Sequence, residues 1–407
     1  ALSLADNENS RDEMLWFLFD TTRDISVDAA IDMIPKVLTE MSDPEYFTDA
    51  FEEIITTLVQ QREWDRILKL YTQTAGLTAP YIEARLAYIC GAALREGFLD
   101  TAAARVAFSG PDDGEAFARI FFGYSMIEDA GRYYEIVASQ ALNILPVSLS
   151  IVDPPDIAGA EAGDIEQLVS SYLAYGLVER AYETAYQAKD EIRDHVFVNL
   201  ASDLYDSGDV INSIRIMSVL QDRFSFYTTR ENLELIFPRG FRNEIEAAAE
   251  KNNIPPYLLF ALVRTESAFT ADIRSSAGAV GLTQLMPATA AEMAGRMRID
   301  LPPLNDPAAN VDIGAYYLRY LIDRYNRVSH AVFAYNAGPG RMNSWRERYL
   351  GLPQDLLLEA VPFTETRYYG RRVLAYASIY GYLYYGLQPG AIVHRFFTEE
   401  PEGTDTE

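Results

Sequence analysis

Residues 257–266 read Tyr-Leu-Leu-Phe-Ala-Leu-Val-Arg-Thr-Glu, and this stretch says most about the fold of the chain. Apolar residues recur at helical spacing along it, at Leu259, Leu262 and Val263, and Glu266 falls on the same stripe. The pattern predicts a helix that starts at Pro255-Pro256 and a carboxyl that points inward from its far end. Burial raises the pKa of a carboxyl, as a general acid requires. A pairing of Glu266 with an interior arginine is the alternative.

A loop rich in small residues follows this helix. The run Ser-Ser-Ala-Gly-Ala-Val-Gly at 275–281 allows the backbone to approach a ligand or another segment closely. It leads into Gln284 and Met286, beside a proline that favours the start of another helix. Further along, Ala334-Tyr335-Asn336-Ala337-Gly338 places an aromatic ring and an amide at the end of a helix. Each motif alone is typical of a turn or a core, and their order along the chain is what makes them specific.

In this order the motifs resemble those of the soluble lytic transglycosylases, enzymes of the goose-type lysozyme fold that cleave peptidoglycan. The resemblance spans roughly 240–385, and its matching residues are Glu266-Ser267, Ser275, Gly278-Ala279, Gly281, Gln284, Met286-Pro287, Thr289-Ala290, Asn310, Gly314, Tyr317-Leu318, Ala334 to Gly338, and Pro362-Phe363-x-Glu365-Thr366-Arg367-x-Tyr369. One position departs from the family pattern, because Thr283 stands where methionine is usual. This difference leaves the acid in place and leaves one contact on the substrate side open.

The resemblance implies an activity and a site. The activity is lytic transglycosylation, which cuts the MurNAc-β-1,4-GlcNAc bond and leaves 1,6-anhydro-MurNAc ends without any cofactor. Glu266 would be the sole catalytic acid and base, with Ser275 and Tyr369 nearby to support it or the N-acetyl group of the sugar. The glycan groove would be lined by Gln284, Met286, Tyr335 and Asn336.

Two other functions stay open from the sequence alone. A hydrolase on the same fold would use a second acid, such as Asp272 or Asp306, to activate water. A non-catalytic scaffold would merely hold glycan, although an acid on a buried stripe argues against it. No metal site is predicted, because Cys90 is the single cysteine and the three histidines are scattered at His195, His330 and His394.

The first half of the chain is predicted to be a helical repeat. Three glycines are each followed, five residues later, by a small residue: Gly97 by Ala102, Gly176 by Ala181, and Gly208 by Ser213. Gly131 is a weaker match. A period of about 34 residues is typical of stacked helix–turn–helix units, in which glycine permits a tight turn and the small residue allows close helix packing. The proline- and glycine-rich stretch 143–164 predicts an inserted loop.

Charge separates the two halves. Residues 1–236 carry 17 Lys and Arg against 41 Asp and Glu, a net charge of −24, whereas residues 237–407 carry 17 against 19, a net charge of −2. A field of this sign repels nucleic acid, which excludes a nucleic-acid-binding function. We expect the acidic half to be repelled by an anionic cell wall, so that the second half faces the substrate. The alternative is that the repeats form a curved wall that binds long glycan strands directly.

Together these features predict an all-α chain with two domains. Residues 1–236 would form a superhelical, TPR-like repeat domain, and residues 237–407 a lysozyme-like catalytic domain with a core at about 240–390 and an acidic tail at 398–407. No apolar run is long enough to span a membrane. We expect the protein in the periplasm or bacterial cell envelope, after removal of a targeting segment. Its expected partners are peptidoglycan strands and, through the repeats, cell-wall enzymes or scaffolds.

Overall fold

The computed structural model of the chain describes residues 8–42, 47–127, 130–152, 163–221 and 228–398. The regular structure of these residues is helical, and their only strand-like pairings are two isolated antiparallel bridges, Arg274–Val280 and Val280–Leu285. The all-α class is therefore confirmed. Residues 153–162 of the predicted loop and 399–407 of the predicted tail lie outside the described residues.

The helices of the described residues are joined mostly by short turns. In chain order they are α1 (Glu8–Ile25), α2 (Val27–Glu40), α3 (Thr48–Gln61), α4 (Trp64–Thr74), α5 (Pro80–Arg95), α6 (Thr101–Ala107), α7 (Gly114–Tyr124), α8 (Arg132–Leu142), α9 (Asp164–Ala174), α10 (Val178–Gln187), α11 (Asp194–Asp206), α12 (Val210–Gln221), α13 (Arg230–Ile236), α14 (Arg242–Lys251), α15 (Pro256–Ser267), α16 (Pro287–Met297), α17 (Pro307–Tyr325), α18 (Val328–Ala337), α19 (Pro339–Arg348), α20 (Gln354–Ala360), α21 (Thr364–Tyr385) and α22 (Pro389–Phe397). None of these helices is both long and apolar enough to cross a membrane.

The chain forms two compact units, and each unit gathers segments that are far apart in sequence. The first unit takes its described residues from 1–146, 328–371 and 393–407, and the second from 147–327 and 372–392. The boundary predicted after residue 236 falls inside the second unit. There the hydroxyls of Tyr380 and Tyr384 each donate a 2.8 Å hydrogen bond, to the carbonyl oxygens of Pro238 and Phe237 respectively. The division into 1–236 and 237–407 stays a prediction.

The three repeat glycines end their helices in the same way. Gly97, Gly176 and Gly208 have φ values of +70°, +69° and +90°, in the left-handed region that glycine adopts without strain. At Gly208, the glycine N–H donates to the carbonyl of Tyr205 (3.0 Å) and the next N–H donates to that of Leu204 (2.9 Å). The same pair of hydrogen bonds occurs at the other two glycines. This is the Schellman motif, which satisfies carbonyl groups left free at a helix end.

The small residues after these glycines do not all behave as predicted. Ala181 and Ser213 are fully buried, and the Ser213 hydroxyl donates to the carbonyl of Ala201 across the α11–α12 pair (2.7 Å). Ala102 is exposed on α6, and Ala104 is the buried small residue there. The prediction was wrong at Ala102, because the face that α6 buries is shifted by two residues.

Candidate active site

The helix that carries Glu266 is formed as the sequence predicts. α15 has Pro256 in its first turn and ends at Ser267, and Leu259, Leu262 and Val263 are fully buried. Glu266 lies in the last turn and is half-buried rather than enclosed. The chain reverses directly after it, because Ala268 and Phe269 both adopt left-handed φ values, of 47° and 64°. Glu266 therefore lies at the end of an apolar helix, at a position that is partly exposed to solvent.

The loop after α15 folds back on itself as a small hairpin. The N–H of Ser275 donates to the carbonyl of Ala279, and the N–H of Ala279 donates to the Ser275 hydroxyl oxygen, both at 3.0 Å. Val280 and Leu285 exchange two backbone hydrogen bonds, of 3.0 and 3.1 Å. The Ser275 side chain thus closes the loop, and its support of Glu266 or the sugar stays a prediction.

Gln284 and Met286 stand at the exit of this hairpin. Gln284 has a left-handed φ of 46°, and its amide nitrogen donates to the carbonyl oxygens of Gly281 (2.9 Å) and Ile273 (3.4 Å). Met286 caps the start of α16, and its side chain is 43% exposed. The Gln284 side chain is therefore partly engaged in holding the turn, whereas Met286 is open to a ligand.

Asn310 on α17 anchors the hairpin. Its side-chain amide nitrogen donates to the carbonyl oxygens of Val280 and Leu304, both at 2.9 Å. Its amide oxygen accepts from the Thr283 N–H (2.8 Å) and the Thr283 hydroxyl (2.7 Å). All four hydrogen bonds that an asparagine side chain can make are therefore used. Since Asn310 is 1% exposed, this amide fixes the loop from inside the fold.

Thr283 packs against the same helix, α17. Its side chain is fully buried, and a Cβ placed on Gly314 would lie 2.4 Å from the Thr283 hydroxyl oxygen. The hydroxyl also meets Asn310. The loop approaches α17 so closely that only glycine fits at 314, and residue 283 faces this contact.

Tyr335 and Asn336 lie in the last turn of α18 and are both half-buried. Gly338 follows with a φ of +89°, and Pro339 begins α19. The Thr366 hydroxyl, on the first turn of α21, donates a 2.6 Å hydrogen bond to the Asn336 amide oxygen. This bond fixes the Asn336 side chain and orients its amide.

Tyr369 lies one turn further along α21 and is 6% exposed. The next residue, Gly370, allows α21 to approach α18, because a Cβ there would lie 2.3 Å from the Phe333 ring. Tyr369 is therefore held on a helix face that packs tightly.

The seven predicted site residues fall into two groups. Glu266, Ser275, Gln284 and Met286 belong to the second unit, on α15 and the hairpin after it, and Tyr335, Asn336 and Tyr369 belong to the first unit, on α18 and α21. Sequence reasoning gave no role to Asn310 or Thr366, although both belong to the motifs that carry the family resemblance. A polar residue within an apolar helical face was the signal for each, since such a residue needs an internal partner.

Comparison with known proteins identifies part of the chain. Residues 243–356 match the sequence profile of the family described as Transglycosylase SLT domain. This segment is an SLT domain. It contains α15, the hairpin, Asn310 and the end of α18, and it stops before Thr366 and Tyr369 on α21.

Curated relatives carry the same kind of segment. The soluble lytic murein transglycosylase of Escherichia coli K12 is 35% identical over 159 residues, which cover 37% of this chain and 24% of that protein. The transglycosylase of enterobacteria phage PRD1 is 38% identical over 99 residues, covering 24% of this chain and 35% of that protein. The chain thus matches about a quarter of the length of the E. coli relative.

Solved structures extend the likeness beyond the SLT domain. The lytic transglycosylase Slt of Pseudomonas aeruginosa, solved as an inactive variant, has a TM-score of 0.66 at 23% identity, over 97% of this chain and 64% of that one. The complex of a 70-kDa soluble lytic transglycosylase with bulgecin A gives a TM-score of 0.63 at 23% identity, over 98% of this chain and 64% of that one. The fold is that of the soluble lytic transglycosylases.

Proposed function

We propose that the chain is a peptidoglycan lytic transglycosylase, which cuts the MurNAc-β-1,4-GlcNAc bond and forms 1,6-anhydro-MurNAc ends. The observation that carries the proposal is the position of Glu266 inside the SLT domain, in the partly exposed last turn of a helix whose residues 257–263 are buried. The names of the relatives support the reaction class. The inactive Pseudomonas variant, a Glu-to-Gln replacement, supports an essential glutamate in that protein.

One carboxyl suffices for this reaction. Glu266 would protonate the glycosidic oxygen as the bond to C1 of the muramic acid breaks, while the N-acetyl group of the sugar stabilises the positive charge. The carboxylate would then take the proton of the C6 hydroxyl as that oxygen attacks C1. No external water enters the product. Intramolecular attack gains from proximity, with effective molarities of roughly 10⁵ M or more.

The other predicted residues would bind the glycan. Met286 offers an exposed apolar side chain, and the Asn336 amide is oriented by Thr366. Gln284 and Tyr335 are half-buried and would complete the groove. Ser275 and Tyr369 would support the acid or the N-acetyl group.

A hydrolase with two carboxyls is less well supported by the acids of this region. Asp306 caps α17, and its carboxylate accepts a hydrogen bond from the Ala309 N–H at 2.8 Å. Asp272 lies exposed in the loop after α15. An acid committed to a helix cap is a poor general base, because protonation would cost the cap.

The mass of the products tests the proposal, because a 1,6-anhydro end is one water lighter than a reducing end. Purified protein should release anhydro products from peptidoglycan, and Glu266→Gln should lower the rate by about 10²–10⁴-fold while leaving the fold intact. Glu250→Gln, an exposed acid on α14, is the matched control. Release of reducing ends would indicate a hydrolase, and release of neither product would indicate a non-catalytic scaffold. A rate for Glu266→Gln within about tenfold of the parent would show that Glu266 is not the catalytic acid.

The substrate sets the place of action. We propose that the protein works in the periplasm or cell envelope, where peptidoglycan lies, and that the helices before the SLT domain provide a surface for cell-wall enzymes or scaffolds. Cell fractionation and co-purification from envelope extracts test the two statements separately.

A further inference from the structure

A buried cluster of charged side chains joins the first helices of the chain to the segment that follows the SLT domain. We call it the Glu52 cluster; its members are Glu52 on α3, Arg85 on α5, Glu359 on α20, and Arg367 and Arg371 on α21, all within the first unit. Each is at most 3% exposed. Charges at this depth persist only when they are paired and hydrogen-bonded.

Arg85 is the centre of the cluster and donates four hydrogen bonds from the three nitrogens of its guanidinium. Its Nε donates to the Glu359 carboxylate at 2.8 Å, and Nη1 donates to the Glu52 carbonyl (3.1 Å) and contacts the Glu52 carboxylate (3.0 Å). Nη2 donates to the Thr56 hydroxyl (2.9 Å) and the Glu359 carbonyl (3.2 Å). With these four hydrogen bonds and the ion pair to Glu52, Arg85 fixes Glu52 and Glu359 in one arrangement.

Glu52 connects the cluster to α21 through a hydrogen bond with Arg367. Its carboxylate accepts a 2.9 Å hydrogen bond from Arg367 Nη2. Arg367 also donates to the Val361 carbonyl (2.5 Å) and the Thr364 hydroxyl (3.0 Å), and so grips the residues at the start of α21. The Arg367 guanidinium therefore holds the residues at the start of α21 next to the Glu52 carboxylate on α3.

The first turn of α21, which Arg367 holds in place, also carries Thr366, the hydrogen-bond partner of Asn336. Thr366 directly precedes Arg367, is 2% exposed, and donates to the Asn336 amide oxygen at 2.6 Å. The close approach of Gly370 to Phe333 holds the next turn of α21 against α18. Because the whole contact is tightly packed, a shift of the first turn of α21 displaces the Asn336 amide.

Charge makes Glu52 the sensitive member. The cluster contains three arginines and two glutamates, so it already has an excess positive charge. Replacing Glu52 by glutamine leaves Arg367 buried without its carboxylate, the situation that costs most in a buried pair. Relief of this unpaired charge would require movement of the first turn of α21, which carries Arg367.

We infer that Glu52 is a positioning residue for glycan binding: through Arg367 it fixes the turn of α21 that orients Asn336. The inference rests on the proposed function for the identity of the ligand. It gives the helices before the SLT domain a part in the site that is separate from any surface they offer to partners.

Glu52→Gln tests the inference, with Glu166→Gln as the matched control. Glu166 is 3% exposed and paired with Arg193 at 2.6 Å, but its partners are Arg193 and Gly163, neither of them a predicted site residue. On a soluble GlcNAc–MurNAc tetrasaccharide we expect Glu52→Gln to raise KM about five- to tenfold, as loss of one hydrogen bond does, with kcat within about twofold. Glu166→Gln should leave KM unchanged. Equal KM values for Glu52→Gln and the parent protein would overturn the inference.

A double variant of Glu52 and Thr366 distinguishes a positioning role of Glu52 from a general loss of stability. Thr366→Val removes the hydroxyl that holds Asn336, so its effect on KM and that of Glu52→Gln should not add in the double variant. Additive effects would contradict the route through α21. If Glu52→Gln does not fold, Glu52→Gln/Arg367→Met removes both charges together and should raise KM as Thr366→Val does; an unchanged KM in this folded variant would again overturn the inference.

Hydrogen–deuterium exchange gives a readout that does not depend on activity. In Glu52→Gln, amides at 361–369 should exchange about tenfold faster than in the parent, and in Glu166→Gln they should not. Unchanged exchange in Glu52→Gln would overturn the positioning role even if the protein is an active transglycosylase. Release of no anhydro product by the parent would overturn the proposed function and leave the exchange result to stand by itself.

Discussion

At the scale of single residues, the Asn310 amide holds the hairpin that follows the helix of Glu266. Asn310→Ala leaves the carbonyls of Val280 and Leu304 and the Thr283 N–H and hydroxyl without their present partner. Because unsatisfied buried polar groups cost about 1–3 kcal/mol each, we expect the free energy of unfolding to fall by at least about 2 kcal/mol. Urea unfolding measures this loss. Asn305→Ala, an exposed neighbour, is the control, and equal effects of the two substitutions would show that the anchor contributes nothing.

At the scale of helices, the repeat glycines are required for their backbone conformation rather than for space. Gly208 has a φ of +90°, and a Cβ added to it would have no atom within 4 Å, so Gly208→Ala meets no clash but must adopt a left-handed conformation. We expect a loss of about 1–2 kcal/mol in the free energy of unfolding. Gly295→Ala is the control, since this glycine lies inside α16 with equal space, and it should stabilise by up to about 1 kcal/mol. Thermal or urea unfolding of both variants checks the opposite signs, and a loss at Gly295 as large as that at Gly208 would contradict the argument.

Local chemistry made many of the helix bounds predictable. Pro256 lies where the sequence predicts the start of α15, and the same local rules account for the start of α17, where Asp306 caps the helix ahead of Pro307. The hairpin after α15 and the exposure of Ala102 were not predictable, because both depend on contacts with other helices. The partners of Glu52 were equally hidden, since nothing near Glu52 in sequence indicates an arginine at 367.

At the scale of the whole molecule, the Glu52 cluster should make stability depend on acid pH. Burial alone would raise the pKa of the Glu52 carboxyl, but the charges of Arg85, Arg371 and Arg367 outweigh burial and lower the pKa from 4.5 to about 2. A lowered carboxyl pKa stabilises the folded state above pH 4.5, and this contribution is lost as the pH falls towards 2. Its size is about 3 kcal/mol. As the pH falls across this window, the free energy of unfolding of the parent should decrease by more than that of Glu52→Gln. The control Glu53→Gln replaces an exposed acid, and its free energy of unfolding should decrease as much as that of the parent. Urea unfolding at each pH measures these values. Parallel curves for the parent and Glu52→Gln would contradict the prediction.

The same cluster bears on the predicted domain boundary. A fragment of residues 237–407 keeps the Glu359–Arg371 pair but lacks Glu52 and Arg85, so Arg367 loses its carboxylate partner and Glu359 loses one of its two arginines. We expect this fragment to show no cooperative thermal unfolding by circular dichroism, in contrast to the full chain. Cooperative melting of the fragment would restore residues 237–407 as an independent domain. The orienting effect of the acidic half is therefore better tested by charge substitutions on the intact protein.

The interleaving of the two units also sets the order of events during synthesis. Arg85 is translated 274 residues before Glu359, and at about 5–20 residues per second its partner follows after roughly 14–55 s. Both units take residues from beyond position 371, so neither can be completed before that position has been translated. A nascent chain therefore stays dependent on whatever shields its apolar helices until residues beyond position 371 have been made, and a product that terminates before them has no finished unit to preserve.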